Sequence, residues 1–292
     1  MAVESKRKLP LIIKIVVLAL LSVIFIFPVF MIFSKSIMTQ EEAMAFPPML
    51  WPKNGAAHFE NYITIINIFG KNKYGMPYMI SYFLNTLMVV VLSTIGVLFS
   101  ASFVAFGFCK IKFPGRDLVF MIVLATMMIP SAVTMVPLYV IFSNLHMTNS
   151  TVPLWFPMWF GGGALNIFLI KQYMMTQPKE ITEAGMIDGA GYFRQYFSIT
   201  LPNTVPILVA VGIGAITGAW NDLQGPLTYI SSSENYTLTM AVSMLSTDTS
   251  LNIDNLPATM AACMYLLIPP CLPFVFGQKY FIESVVMSGI KG

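Results

Sequence analysis

Glu183-Ala-Gly-Met-Ile-Asp-Gly-Ala-Gly191, with Ile199-Thr-Leu-Pro202 and Pro206 following, is polar enough to sit outside a bilayer, yet strongly apolar segments lie on both sides of it. Pro178 suits a first helical position, and Glu180 complements a helix N-terminus. Ile181, Ala184, Gly185 and Asp188 recur at i, i+3, i+4 and i+7, on one side of a short helix. Gly189 and Gly191 allow a sharp turn where a β-carbon would clash. Tyr192 to Phe197 then starts a second helix, showing Phe193, Tyr196 and Phe197, and Pro202 breaks it. The pattern predicts a helix–turn–helix with small residues at its centre and apolar residues at its flanks. Such a unit fits a partner's groove as a rigid lever. An amphipathic loop lying on lipid headgroups is the alternative.

Composition places this loop in a membrane protein. Of the 292 residues, 57% are hydrophobic and 10% charged. Mean hydropathy is +0.75. Soluble domains carry about a quarter charged residues. A helix needs about 20 mostly apolar residues to cross the hydrocarbon, and six stretches qualify: 11–33, 82–108, 118–142, 154–174, 204–223 and 256–276. The expected fold class is an all-α membrane protein of six transmembrane helices, with the polar helix–turn–helix between helices 4 and 5. The first stretch follows Lys6-Arg-Lys8 and reads as a retained anchor, because it is too long for a signal peptide and lacks a small-x-small cleavage site.

Lys and Arg concentrate in alternate connections: Lys6, Arg7 and Lys8; Lys110, Lys112 and Arg116; Lys171, Lys179 and Arg194; Lys279 and Lys291. The 143–153 turn and the 224–255 loop have none, while loop 34–81, with four lysines against three glutamates, is long enough to translocate regardless. The positive-inside rule puts both termini and the 176–203 loop in the cytoplasm. Cys109, Cys263 and Cys271 form no CxxC pair, and His58 and His146 both lie in outer loops, so no metal site is indicated. The triplets Asn149-Ser-Thr151 and Asn235-Tyr-Thr237 match a glycosylation pattern by chance.

Glu183-Ala-Gly185, Asp188-Gly-Ala190, Ile199, Leu201-Pro202 and Pro206 resemble the "EAA" loop of bacterial binding-protein-dependent ABC importers. The departure is Gly185, where that family usually has a second Ala. Phe113-Pro-Gly-Arg116, Met128-Ile-Pro130 with Pro137, Trp220-Asn-Asp222 with Pro226-Leu227, and the ending Gly289-Ile-Lys-Gly292 are similar to the smaller permease of maltose-type systems. The resemblance runs from about residue 80 to the end and implies the type I permease fold in a bacterial cytoplasmic (inner) membrane. It implies that Glu183, Ala184, Gly185, Asp188, Gly189, Ala190, Ile199, Leu201 and Pro202 form a coupling helix that docks on an ATPase. It also implies that Lys291 and Gly292 approach the nucleotide-binding dimer, and that the 224–255 loop meets an extracytoplasmic solute-binding protein. The implied partners are that protein, a homologous second permease, an ATPase homodimer or heterodimer, and membrane lipid, with no nucleic acid.

The residues fit such a division of labour. No G-x-x-x-x-G-K-[S/T] occurs, and the nearest approach, Gly70-Lys71, continues with Asn72. The chain therefore has no P-loop to cradle a nucleotide, and ATP with its Mg is expected on the partner, with no cofactor in this chain. No Asp or Glu sits mid-span, which disfavours an ion-driven carrier. No enzyme is indicated. For a hydroxyl-rich solute the path would need uncharged hydrogen-bonding or stacking groups, and Asn85, Thr126, Asn166, Thr217 and Trp220 qualify by depth. Each also reads as interhelical glue. Pro130 and Pro137 either loosen the third helix beside a cavity or are packing kinks. Ala210, Gly214 and Gly218 form a small-residue stripe suited to another helix, in this chain or a partner. The expected organisation is 1–33 N-terminus and first helix, 34–81 outer loop, 82–282 core with coupling loop 176–203, and 283–292 tail. The resemblance implies a cargo of sugars, in the form of oligosaccharides; polyols, glycerol phosphate or peptides, and a stand-alone carrier, are the alternatives.

Overall fold

A computed structural model describes residues 2–245 and 255–289. Its principal helices are α1 (Ala2–Ser36), α2 (Glu60–Ile68), α3 (Tyr78–Lys110), α4 (Arg116–Ala125), α5 (Ser131–Asn144), α6 (Ala164–Thr176), α7 (Lys179–Ile187), α8 (Val205–Trp220), α9 (Leu238–Leu245) and α10 (Leu256–Gly289). No strand occurs among the described residues. Four stretches are long and apolar enough to cross a membrane unbroken, and six are if each of two bent pairs is one span.

The bends revise the expected spans. The third, expected as one helix over 118–142, turns by 99° between Arg116–Met128 and Ser131–Asn144. Pro130 caps α5 in an extended conformation, and Ile129 before it is extended as well. A proline ring forces its predecessor out of the helical region, and here that preference prevails. Pro137 stays inside α5. The fourth span, expected as helix over 154–174, begins with the short pieces Val152–Trp155 and Phe156–Trp159, and regular helix starts only at Ala164. Gly161, Gly162 and Gly163 between them all have positive φ. Pro202 is not the break it was expected to be. The helical path continues to Asn203, and the 79° bend falls between Tyr192–Asn203 and Val205–Trp220. Gln195–Thr200 is a π-helix, whose widened turn relaxes the i→i+4 ladder that a following proline would otherwise interrupt.

The chain divides into two units, residues 1–79 with 242–267 and residues 80–241 with 268–292. In the first, none of the most apolar window of Leu11–Ser36 is buried, and Phe25 is 75% exposed. A helix apolar all round belongs in lipid or against another protein. At its end the chain becomes packed: Ser34, Ser36, Ile37 and Met38 are buried. Asn61 there donates to the carbonyls of Ser36 and Met38, both at 3.0 Å. Thr39 and Glu42 form a capping box, and Lys53 N–H donates to the same carboxylate. These backbone donors, Thr39 first, hold the Glu42 carboxyl below its usual range.

In the second unit Ala101 and Ala105, one turn apart on α3, are fully buried and let Ile167 and Ile170 of α6 and Val211 of α8 approach closely. Lys171 Nζ stands 3.9 Å above the Phe120 ring. Phe120 packs on Phe108, with ring centroids 5.2 Å apart. Gly214 and Gly218 of the small-residue stripe have open space where a β-carbon would be, so the stripe is not filled by its own unit.

Two connections are tied by Asn149. Its N–H donates to Tyr229 O at 2.6 Å, its amide to Ser232 Oγ at 2.8 Å, and its Oδ1 accepts the N–H groups of Ser231 and Ser232. Its own carbonyl accepts the Asn235 amide at 2.6 Å. Asn149 adopts φ 55°, a left-handed conformation that asparagine tolerates better than most residues. Both glycosylation-like asparagines are thus engaged in one clamp.

Candidate functional site

The helix–turn–helix exists and is built as a hairpin. Pro178 is the cap of α7 rather than its first residue. At the other end Gly189, at φ 75°, lets its own N–H reach Met186 O and the Ala190 N–H reach Gly185 O. Those two bonds make a Schellman close, which needs a left-handed residue at this point. Gly191 is different: it is extended and merely caps Tyr192–Arg194. Gln195 locks the return, donating from its side chain to Ala190 O at 2.6 Å and from its backbone to Gly191 O. Its Oε1 and the Thr200 hydroxyl are buried without a hydrogen-bond partner among the described residues.

Gly185 and Thr182 face inward; Ile181, Glu183, Ala184, Asp188 and Gly189 face out. A β-carbon on Gly185 would press into Ile199 Cδ1, so Ile199 packs across the hairpin onto the smallest residue available. The obstruction is the tip of a flexible side chain. Gly185→Ala should therefore fold as well as the natural chain, gaining about 1 kcal/mol of helix propensity. Gly185→Leu should lose the hairpin packing and at least about 1–3 kcal/mol. Thermal unfolding of the purified variants in detergent checks both.

Tyr196, expected beside Phe193 and Phe197 on the apolar side that the second helix displays, is instead buried. It is 1% exposed, bonds the Ser102 hydroxyl at 2.7 Å, and lies edge-on to Phe103 and Phe106, both at 5.3 Å. The hairpin is anchored to α3 through this ring. A second tie joins Lys110 Nζ to the Thr182 hydroxyl at 3.0 Å. On the opposite side apolar residues have no cover: Ile187 is 86% and Phe193 69% exposed. Leu201 is half-buried among the core residues and Pro202 is exposed. Lys291 and Gly292 lie outside the described residues.

The structure does not gather the proposed path residues into one cavity. Asn85 donates to the carbonyls of Glu234 and Tyr236. Thr126, Asn166 and Thr217 bond the main chain three or four residues back, at Val123, Gly162 and Ile213. Pro130 stands at the 99° corner. Trp220 is buried edge-on to Phe83, and with Thr94 and Ile216 it lines an apolar cleft of about 470 Å³. The Thr94 hydroxyl there has no hydrogen-bond partner among the described residues.

A polytopic helical membrane protein with a rigid polar hairpin between its fourth and fifth apolar stretches is the class these features define. The model of the family "binding-protein-dependent transport system inner membrane component" matches residues 98–285, and the chain belongs to that family of ABC transporter permeases. It is 28% identical over 273 residues to the arabinooligosaccharides transport system permease protein AraQ of Bacillus subtilis, covering 94% of this chain and 93% of that one. Its fold is that of a chain in a bacterial ABC transporter that imports the acidic polysaccharide alginate, with TM-score 0.76, 20% identity and coverage of 92% and 95%. A second match, TM-score 0.60, 15% identity and 93% of each chain, is to an alginate transporter in complex with an alginate-pentasaccharide-bound periplasmic protein.

Proposed function

We propose that this chain is one of two permease subunits in an ATP-driven, binding-protein-dependent importer of oligosaccharides. The observation that carries the reading is the hairpin: anchored on one side by Tyr196 and Lys110, and bare and apolar on the other at Ile187 and Phe193. A partner ATPase would cover the bare side, and it would bind the ATP and Mg for which this chain carries no P-loop. Lys and Arg distribution supports cytoplasmic termini and a cytoplasmic hairpin. The 224–255 loop then faces outward, toward a binding protein, and Glu183, Ala184, Asp188 and Gly189 lie on the docking side. Closure of the ATPase dimer would push the hairpin, and Tyr196 would pass the displacement to α3, switching the helices from inward- to outward-facing. The names of the relatives support a sugar cargo. Asn85, Thr126, Pro130, Asn166, Thr217 and Trp220 would contribute to its path only together with the sister permease, because their polar groups are largely satisfied at home.

Reconstitution with the neighbouring ATPase, sister permease and binding protein tests this. Labelled oligosaccharide should enter liposomes only with ATP on the ATPase side and binding protein on the other. Uptake by this chain alone, driven by an ion gradient, would overturn the reading. Uptake of peptide or glycerol phosphate but no sugar would overturn its cargo.

A further inference from the structure

Beside the hairpin, the ends of α3 and α6 and one flank of α7, from buried Thr182 to Glu183 at the exposed rim, border a cavity of about 520 Å³. Lys110, Lys112 and Arg116 line it, with Glu183, Thr182 and Gln177. Lys110 is held in place by the Thr182 hydroxyl, and Arg116 Nε donates to Asp117 at 3.0 Å. Three cations thus stand against two carboxylates, and Gln177 adds a polar donor: its Nε2 is sealed from solvent and donates to nothing among the described residues. An amide N–H left unbonded in a basic cavity calls for an acceptor, because burying it alone costs about 1–3 kcal/mol. The cavity also has an apolar side, formed by Met174 and Met175.

We propose that this cavity binds the headgroup of an anionic phospholipid. Sequence position selects lipid: α3 and α6 are both apolar stretches that end here, and the ends of spans are expected at the headgroup level. Basic pockets between helices at that level are suited to such headgroups. The phosphate accepts from Gln177 Nε2 and is balanced by Lys112 and Arg116, while an acyl chain runs along the methionines. Occupancy would brace this flank of α7 without touching Ile187 or Phe193.

The test is binding by the purified full chain in mild detergent, read by native mass spectrometry and thermal shift with dioctanoyl-phosphatidylglycerol; neither readout depends on the transport reading. Saturable binding is expected, with none for the phosphatidylcholine analogue. Lys112→Gln with Arg116→Gln should weaken it about thirtyfold, each cation near a headgroup contributing about fivefold. Lys112→Arg with Arg116→Lys should retain it. Gln177→Leu, which leaves every charge in place, should weaken it several-fold, so a poorly folding double variant does not decide the matter. Equal binding of phosphatidylcholine, or undiminished binding in the two neutralised forms and Gln177→Leu, would overturn the proposal. Displacement of the lipid by inorganic phosphate at comparable concentration would also overturn it, leaving a site for a free anion.

Discussion

Gly162→Ala should be the most damaging single methyl group in the molecule. Gly162 has φ +63°, and a β-carbon there would stand 2.9 Å from both Cα and O of Val97 and 3.1 Å from Ala101 Cβ. The obstruction is the main chain of α3, which no rotamer change can clear. Left-handed backbone costs a non-glycine residue about 1–2 kcal/mol, and forced overpacking adds about 1–3 kcal/mol. The site has no slack from the other side either. Ser100 of α3 donates to Met158 O at 2.9 Å, and the Trp159 ring occupies the space where Gly96 lacks a side chain. Apparent Tm in detergent should fall by roughly 5–15 °C, with expression reduced. Gly218→Ala, inside α8 with nothing within 4 Å, should keep Tm or raise it by roughly 2–4 °C, the gain of about 1 kcal/mol of helix propensity. A Gly162→Ala protein as stable as Gly218→Ala would contradict the packing described for Val97.

Gly189→Val should separate transport from folding of the bundle. Space is not the problem here, since a β-carbon at 189 meets nothing within 4 Å. The cost is conformational: a β-branched residue at φ +75° is strained by about 1–3 kcal/mol. Relief comes by opening the Schellman close, which releases the N–H groups of residues 189 and 190 and shifts the turn that joins the two arms of the hairpin. The population of the docking-competent hairpin then falls roughly five- to a hundredfold. Glu183→Lys reaches the same end by reversing an exposed charge on α7. Both variants should remain in the membrane with normal Tm for the bundle, lose co-purification of the ATPase, and take up substrate at less than about a tenth of the natural rate, a coupling loss near 1.4 kcal/mol. Gly191→Ala is the control. Its backbone is already extended, so uptake should be unchanged. Normal uptake by both Gly189→Val and Glu183→Lys would end the lever reading.

Long charge-free runs are legible because hydrocarbon tolerates little else, and so the six stretches were visible at once. Their continuity was not. Pro130 and Pro137 lie seven residues apart in one apolar run, yet the first ends a helix and the second sits within one. The difference lies in the residue before each and in what the freed carbonyl meets, which is tertiary information. In the hairpin, Gly189 and Gly191 read alike, and only the first needs its glycine. Tyr196 was misjudged because its partners, Ser102, Phe103 and Phe106, lie about ninety positions away. Within the local sequence it is one more aromatic on an amphipathic turn. The path residues show the converse limit. A threonine or asparagine that bonds a carbonyl three or four residues back cannot be told by sequence from one that faces a pore.

The Asn149 clamp bears on how this end of the bundle responds to load. Five hydrogen bonds on one residue fasten the turn after α5 to the segment beyond Tyr229, so neither connection can be pushed aside separately. A visitor pressing on that tip meets a single stiff plate rather than two soft loops, and whatever tilt it imposes arrives at both underlying helices together.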